Sequence, residues 1–231
     1  MHRIHLDEGL AQLKQMLLTM GSCAEEALMN AMRALKQRDD ILADQVEQTD
    51  TRMDQLEIDV DDLAITTLAH APLASDLRLV MVAVKISHDL ERVGDEATTI
   101  ARRARKLNTE PPVQSNIELP RMAELATKML RDALDAFVRG DAVKARGIVP
   151  RDKEVDSLHK GFLKQLERFM EERPDTIGRC LHLITISKSL ERIADHATNI
   201  AEEVVYLYEG RDIRHSGKAT VPANETQDSG R

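Results

Sequence analysis

Aromatic side chains are nearly missing: the 231 residues hold no Trp, three Phe and two Tyr. So few rings leave nucleic-acid bases little to stack on. A formal net charge of −8 also opposes a phosphate backbone. Cations, or the basic surfaces of partners, are the easier ligands. Cysteine is scarce too, and Cys23 and Cys180 stand in no metal or redox spacing, which fits a reducing cytoplasm. The longest purely aliphatic stretch is Leu79–Val84, far short of a membrane span. Asp7 and Glu8 interrupt the N-terminus before any apolar run, so no signal peptide is expected. No glycine-rich phosphate loop, Ser-His-Asp set or Cys-His pair stands out. The expectation is a soluble, intracellular protein that is not an enzyme.

What the chain has is apolar periodicity. Hydrophobic residues make up 42% of it, enough for a core built from Leu, Ile, Val, Met and Ala. From Leu10 a stripe runs Leu13, Leu17, Met20, Ala24, Ala27, Ala31 and Ala34 in steps of three and four, the seam of a long helix interrupted by Gly21. Arg38-Asp39-Asp40 predicts a turn with an Asp capping the next helix, whose seam is Leu42, Val46, Met53, Leu56, Val60, Leu63 and Thr67. A stop is expected at His70-Ala71-Pro72. Ser75-Asp76 is expected to cap a third helix along Ala83, Ile86, Leu90, Val93, Ala97, Ile100, Ala104 and Leu107. Residues 108–119, with Pro111-Pro112, read as a linker, and Ser115-Asn116-Ile117-Glu118 as a capping box. Further helices are predicted up to Gly140, from about Asp141 to Arg173, and from about Thr176 to Glu209, the last closed by Gly210.

The fold class expected is therefore all-α: six long helices forming two repeated antiparallel three-helix bundles. The first repeat covers residues 1–110, the linker 111–119 and the second repeat 120–210, with a frayed tail over 211–231.

A duplication carries the chemistry. Leu90-Glu91-Arg92-Val93-Gly94-Asp95-Glu96-Ala97-Thr98-Thr99-Ile100-Ala101 returns one hundred residues later as Leu190-Glu191-Arg192-Ile193-Ala194-Asp195-His196-Ala197-Thr198-Asn199-Ile200-Ala201, with eight of twelve positions identical. Each copy sets a Glu and an Asp one helical turn apart on one face, a like-charge pair that disfavours the helix by a few tenths of a kcal/mol. A second pair, Asp50 and Asp54, recurs as Asp152 and Asp156. Glu57/Asp61, Asp40/Asp44 and Glu167/Glu171 have no acidic counterpart in the other half. Four carboxylates facing one another repel unless protonated or bridged by cations. Oxygen ligands with no paired His or Cys favour Fe, Mn, Mg or Ca over a structural zinc. Asn199 extends the stripe with a carbonyl oxygen where Thr99 offers a hydroxyl. His196 steps about 100° away from Asp195, and His88, His159 and His182 read as isolated surface or partly packed residues.

With these residues in view, the chain resembles the PhoU family, bacterial accessory proteins of phosphate-specific transport. The resemblance rests on the repeated Leu-Glu-Arg-hydrophobic-small-Asp signature, on Ala74-Ser75-Asp76-Leu77-Arg78-Leu79-Val80, on Leu17 to Gly21, and on Gly210-Arg211-Asp212-Ile213-Arg214-His215. It implies two three-helix bundles related by a pseudo-twofold, and acidic motifs holding metal cations. These are multinuclear iron in some members, with zinc, manganese, magnesium and calcium left open. On this sequence the metal ligands implied are Glu91, Asp95, Asp50 and Asp54 in the first half, and Glu191, Asp195, Asp152, Asp156 and Asn199 in the second.

The role implied is negative regulation of phosphate uptake and of the phosphate-starvation response. A cytoplasmic adaptor, commonly a homodimer, would link the ATPase subunit of the phosphate ABC transporter to a membrane sensor histidine kinase, with neither nucleic acid nor membrane insertion involved. Two other readings are weighed against it. A ferroxidase-like carboxylate enzyme would need Glu-x-x-His motifs, and no Glu here has a His three residues on. A metal-free structural or chaperone-like bundle would leave the acidic pairs solvated.

Overall fold

The computed structural model describes residues 2–69, 73–113 and 118–214. Among them the regular structure is helical: α1 (His2–Gln37), α2 (Asp40–Leu68), α3 (Ala74–Asn108), α4 (Leu119–Arg139), the short α5 (Ala142–Arg146), α6 (Asp152–Glu172) and α7 (Ile177–Glu209), with 3₁₀ turns at Val149–Arg151 and Pro174–Thr176. No strand occurs among the described residues. The stop expected at His70-Ala71-Pro72, residues 115–117 of the expected capping box, and residues 215–231 of the tail lie outside them.

Burial follows the stripes. Along α1, Leu13, Leu17, Met20, Ala24, Ala27, Ala31 and Ala34 are buried, with Leu10 half-buried beside them. The α3 seam from Ala83 to Leu107 is buried at all eight expected positions. Asp39 caps α2 by accepting from the backbone N–H of Ile41 and Leu42, while Arg38 takes the left-handed turn at φ 57°. Gly210 ends α7 at φ 67°, a conformation most side chains resist.

Two local expectations fail. Ser75-Asp76 does not cap α3. Leu73 takes that position in extended conformation, and its carbonyl accepts from the N–H of Asp76 and Leu77, so the start is fixed by backbone alone. The single helix expected from Asp141 to Arg173 is broken between α5 and α6. Pro150 has no N–H to give the ladder, and its ring opposes a continuous helix. The chain instead turns at Gly147 and restarts at Asp152, which places Asp152 in the first turn of α6.

α1, α2 and α3 pack mutually, α4 and α6 pack against α7, and the halves join where α3 lies along α7 and α1 meets α4. Gly21 is one close point of that junction, since a Cβ there would overlap Leu134 Cδ1 of α4. Its cost to the helix is thereby offset by tight approach of the two bundles.

Candidate metal centre

Each half gathers its carboxylates between two helices. In the first, α2 supplies Asp50 and Asp54 and α3 supplies Glu91 and Asp95. Burial, then the charges of Asp95 and Asp54, push Asp50 above the usual carboxylate range. Burial and Asp95 do the same to Glu91. A Cβ on Gly94 would lie 3.6 Å from Asp50 Oδ1, in ordinary contact, so the position takes a small residue while a larger side chain would press on the acid. The repeated signature keeps a small residue there, Ala194, in the second copy.

In the second half α6 supplies Asp152 and Asp156 and α7 supplies Glu191 and Asp195. Burial, then Asp156 and Glu191, raise Asp152, and Asp195 lies within hydrogen-bonding reach of it. Asp195 keeps one flank open to solvent. Loss of water on the other side, then Glu191 and Asp152, push it up to about 6. One carboxylate oxygen in each half, Glu91 Oε2 and Asp152 Oδ1, is shut off from solvent and accepts no hydrogen bond. A buried acceptor left this way is unfavourable by about 1–3 kcal/mol, more for a charged one.

Neighbouring cations differ between the halves. Arg92 Nη1 sits 3.0 Å from Asp95, and its Nε 3.3 Å from Glu91 Oε2, outside hydrogen-bond alignment. The equivalent Arg192 turns across the junction to Glu96, 3.0 Å away. The second set is left with Lys188 on Glu191 and Lys160 3.4 Å from Asp156. That is one physical reason Asp195 is so strongly raised.

The expected ninth ligand is placed elsewhere. Asn199 donates its amide to Asp89 Oδ1 at 3.1 Å, and His196 Nδ1 lies 2.8 Å from the same oxygen. Both belong to the α3–α7 junction, because residues one and four beyond Asp195 on a helix packed against α3 meet α3 first. Asp89 is 9% exposed and ties the halves together.

Sequence reasoning also missed a group in the first half. His88 is not isolated: its Nδ1 lies 3.1 Å from Glu57 Oε1 across α2 and α3, and Glu91 is beside both. The signal was present as His88 and Glu91 three residues apart, but Glu57 was set aside for want of an acidic partner in the other half.

Comparison with known proteins now decides the family. The PhoU domain model matches twice, over residues 17–104 and 119–204. The chain belongs to the PhoU family. It is 42% identical over 216 residues, 93% of this chain and 84% of the relative, to the phosphate-specific transport system accessory protein PhoU homolog of Pseudomonas putida. The crystal structure of PhoU from Pseudomonas aeruginosa is 40% identical, with a TM-score of 0.86 over 89% of this chain and 99% of that one. The phosphate transport system regulatory protein PhoU from Streptococcus pneumoniae gives 29% identity and a TM-score of 0.81, over 90% and 99% of the two chains. The PhoU domain is thus repeated in the chain, on an all-helical fold shared with solved PhoU structures. Among the described residues no helix is long and apolar enough to cross a membrane.

Proposed function

We propose that this PhoU protein is a negative regulator of phosphate uptake and of the phosphate-starvation response, acting in the cytoplasm as an adaptor with no chemistry of its own. The observation that carries this is the likeness over 93% of the chain to a phosphate-specific transport accessory protein. Its partners are the ATPase subunit of the phosphate ABC transporter and the membrane sensor histidine kinase of the same regulon, and it works as a homodimer.

The two carboxylate sets are metal centres in this reading. Asp50, Asp54, Glu91 and Asp95 would hold cations in the first half, and Asp152, Asp156, Glu191 and Asp195 in the second. The residues fit such a group. In the first half Asp50 feels the charges of Asp95 and Asp54, and Glu91 that of Asp95; in the second, Asp152, Asp156, Glu191 and Asp195 act on one another, and one buried oxygen per half accepts no hydrogen bond. A bound cation would neutralise the repulsion and satisfy those oxygens, and iron, manganese or magnesium suits an all-oxygen set. The cation's part is to lock α2 on α3 and α6 on α7, stiffening the adaptor. A ferroxidase-like enzyme is disfavoured because no Glu-x-x-His motif supplies the histidines that class uses. A metal-free bundle has one specific support: Arg92 and Lys188 already balance part of the charge.

Deleting the gene tests the regulatory role. A phosphate-starvation reporter is expected to fire in high phosphate in the deletion strain and to fall silent when the wild-type chain is restored. A reporter that stays silent in the deletion strain overturns it.

A further inference from the structure

We infer that Glu57, His88 and Glu91 form a separate, mixed nitrogen–oxygen site for a late first-row divalent cation such as Zn²⁺ or Co²⁺, built into the first half and replaced in the second by a lysine. The site borrows Glu91 from the carboxylate set proposed above, but its two other ligands lie outside the duplicated pairs. It stands or falls on them.

His88 and Glu91 are three residues apart on α3 and so share a face, with Glu57 opposite on α2. One ligand atom from each residue lies within 4.8 Å of the other two. With metal–ligand bonds of about 2.1 Å, adjacent ligands on one ion stand roughly 3.0–3.4 Å apart; His88 Nδ1 and Glu57 Oε1 are already at 3.1 Å. A carboxylate oxygen of Glu91 supplies the third position, and Glu91 carries one buried oxygen, Oε2, that accepts no hydrogen bond. The His88 side chain is 58% exposed, so an ion has an entry path and water can complete its shell. An imidazole among carboxylates moves preference away from Mg²⁺ and Ca²⁺ towards zinc, cobalt and nickel.

The second half shows what the duplication did with the same place. There the positions of Glu57, His88 and Glu91 are taken by His159, Lys188 and Glu191. The Lys188 ammonium pairs directly with Glu191. His159 is buried with its Nδ1 2.7 Å from Ser187 Oγ, and burial lowers its pKa, so it adds no positive charge. A tethered cation therefore stands in the second half where the first offers three ligands. The lysine fills in the second half the position His88 holds in the first, where Arg92 lies beside Glu91 and Asp95 and the imidazole remains free to bind a cation from solution.

The test uses the full chain, stripped with chelator and titrated with Co²⁺, read by visible absorption and by calorimetric stoichiometry. His88 is exposed, so His88→Ala is expected to fold as wild type, which circular dichroism checks; Glu57→Gln is the second variant. The expected result is loss of one cobalt equivalent, or weakening by about tenfold or more, in both variants. Asp152→Asn/Asp156→Asn is expected to keep the histidine-dependent band. Titrations of His88→Ala and Glu57→Gln that match wild type overturn the inference, even if the Asp variants lose other equivalents. Loss confined to the His88 and Glu57 variants supports this site while counting against the all-carboxylate centres.

Discussion

In chelator, the Asp152→Asn/Asp195→Asn protein is expected to melt above wild type; with saturating Mn²⁺ the order is expected to reverse. The first half of that statement follows from repulsion. Asp152, Asp156, Glu191 and Asp195 repel one another, and Arg192 makes its ion pair with Glu96 rather than with any of them. Replacing two of the acids by amides removes the like-charge interaction and leaves polar groups of similar size. The second half follows from linkage. A cation at a hundredfold its Kd stabilises by about 2.7 kcal/mol per site, or roughly 5–10 °C in a protein of this size, and the Asn variant forgoes it. A metal-free bundle predicts no Mn²⁺ response from either protein.

The pH dependence carries the same sign. Unfolded Asp titrates near 4, whereas folded Asp195 titrates at about 6. Between those values the native state holds protons that the unfolded chain has released, so stability falls as pH rises through the window. Chelated wild type should therefore melt higher at pH 5 than at pH 7.5, and the Asn variant should lose that difference. The loaded protein should show the opposite slope, because protons and cations compete for the same oxygens.

Gly21→Ile is the second large effect. At this point α1 and α4 approach so closely that even a Cβ overlaps Leu134 Cδ1, and Leu134 is 6% exposed with little room to yield. Overpacking of this kind destabilises by about 3 kcal/mol, which lowers Tm by roughly 6–12 °C. Helix propensity alone predicts the reverse, since Gly is the weaker helix former by about 0.8–1.0 kcal/mol relative to Ala. Gly161→Ala separates the two terms. Nothing lies within 4 Å of a Cβ at Gly161, on exposed α6 surface, so that substitution should raise Tm by roughly 2–4 °C. A Gly21→Ile protein as stable as wild type would show that the α1–α4 contact does not hold the halves together.

These two sites also show what the sequence could and could not disclose. Seam residues such as Ala83, Ile86, Leu90 and Val93 were legible because a helix repeats every 3.6 residues and one face must leave water. The duplication then made the acids legible, because a repulsive pair kept twice stands out against ordinary surface charge. Partners across the halves were not legible. Periodicity says which face is buried, not which helix it meets, so Asn199 was expected with the carboxylates when it binds Asp89, and nothing in the repeat showed that Arg192 reaches Glu96. The same filter that selected the acidic pairs discarded Glu57, since the corresponding residue, His159, is not acidic. Gly21 read as a weakness of α1 because the atom it makes room for lies more than one hundred residues away.

The claim that the paired carboxylates of both halves are cation sites is tested most directly by a crystal structure of Mn²⁺-loaded protein with anomalous scattering measured at the manganese edge. Anomalous peaks are predicted between Asp50, Asp54, Glu91 and Asp95 and between Asp152, Asp156, Glu191 and Asp195. Manganese-loaded crystals with no peak at either set, their carboxylates held only by Arg92, Lys160 and Lys188, would contradict it.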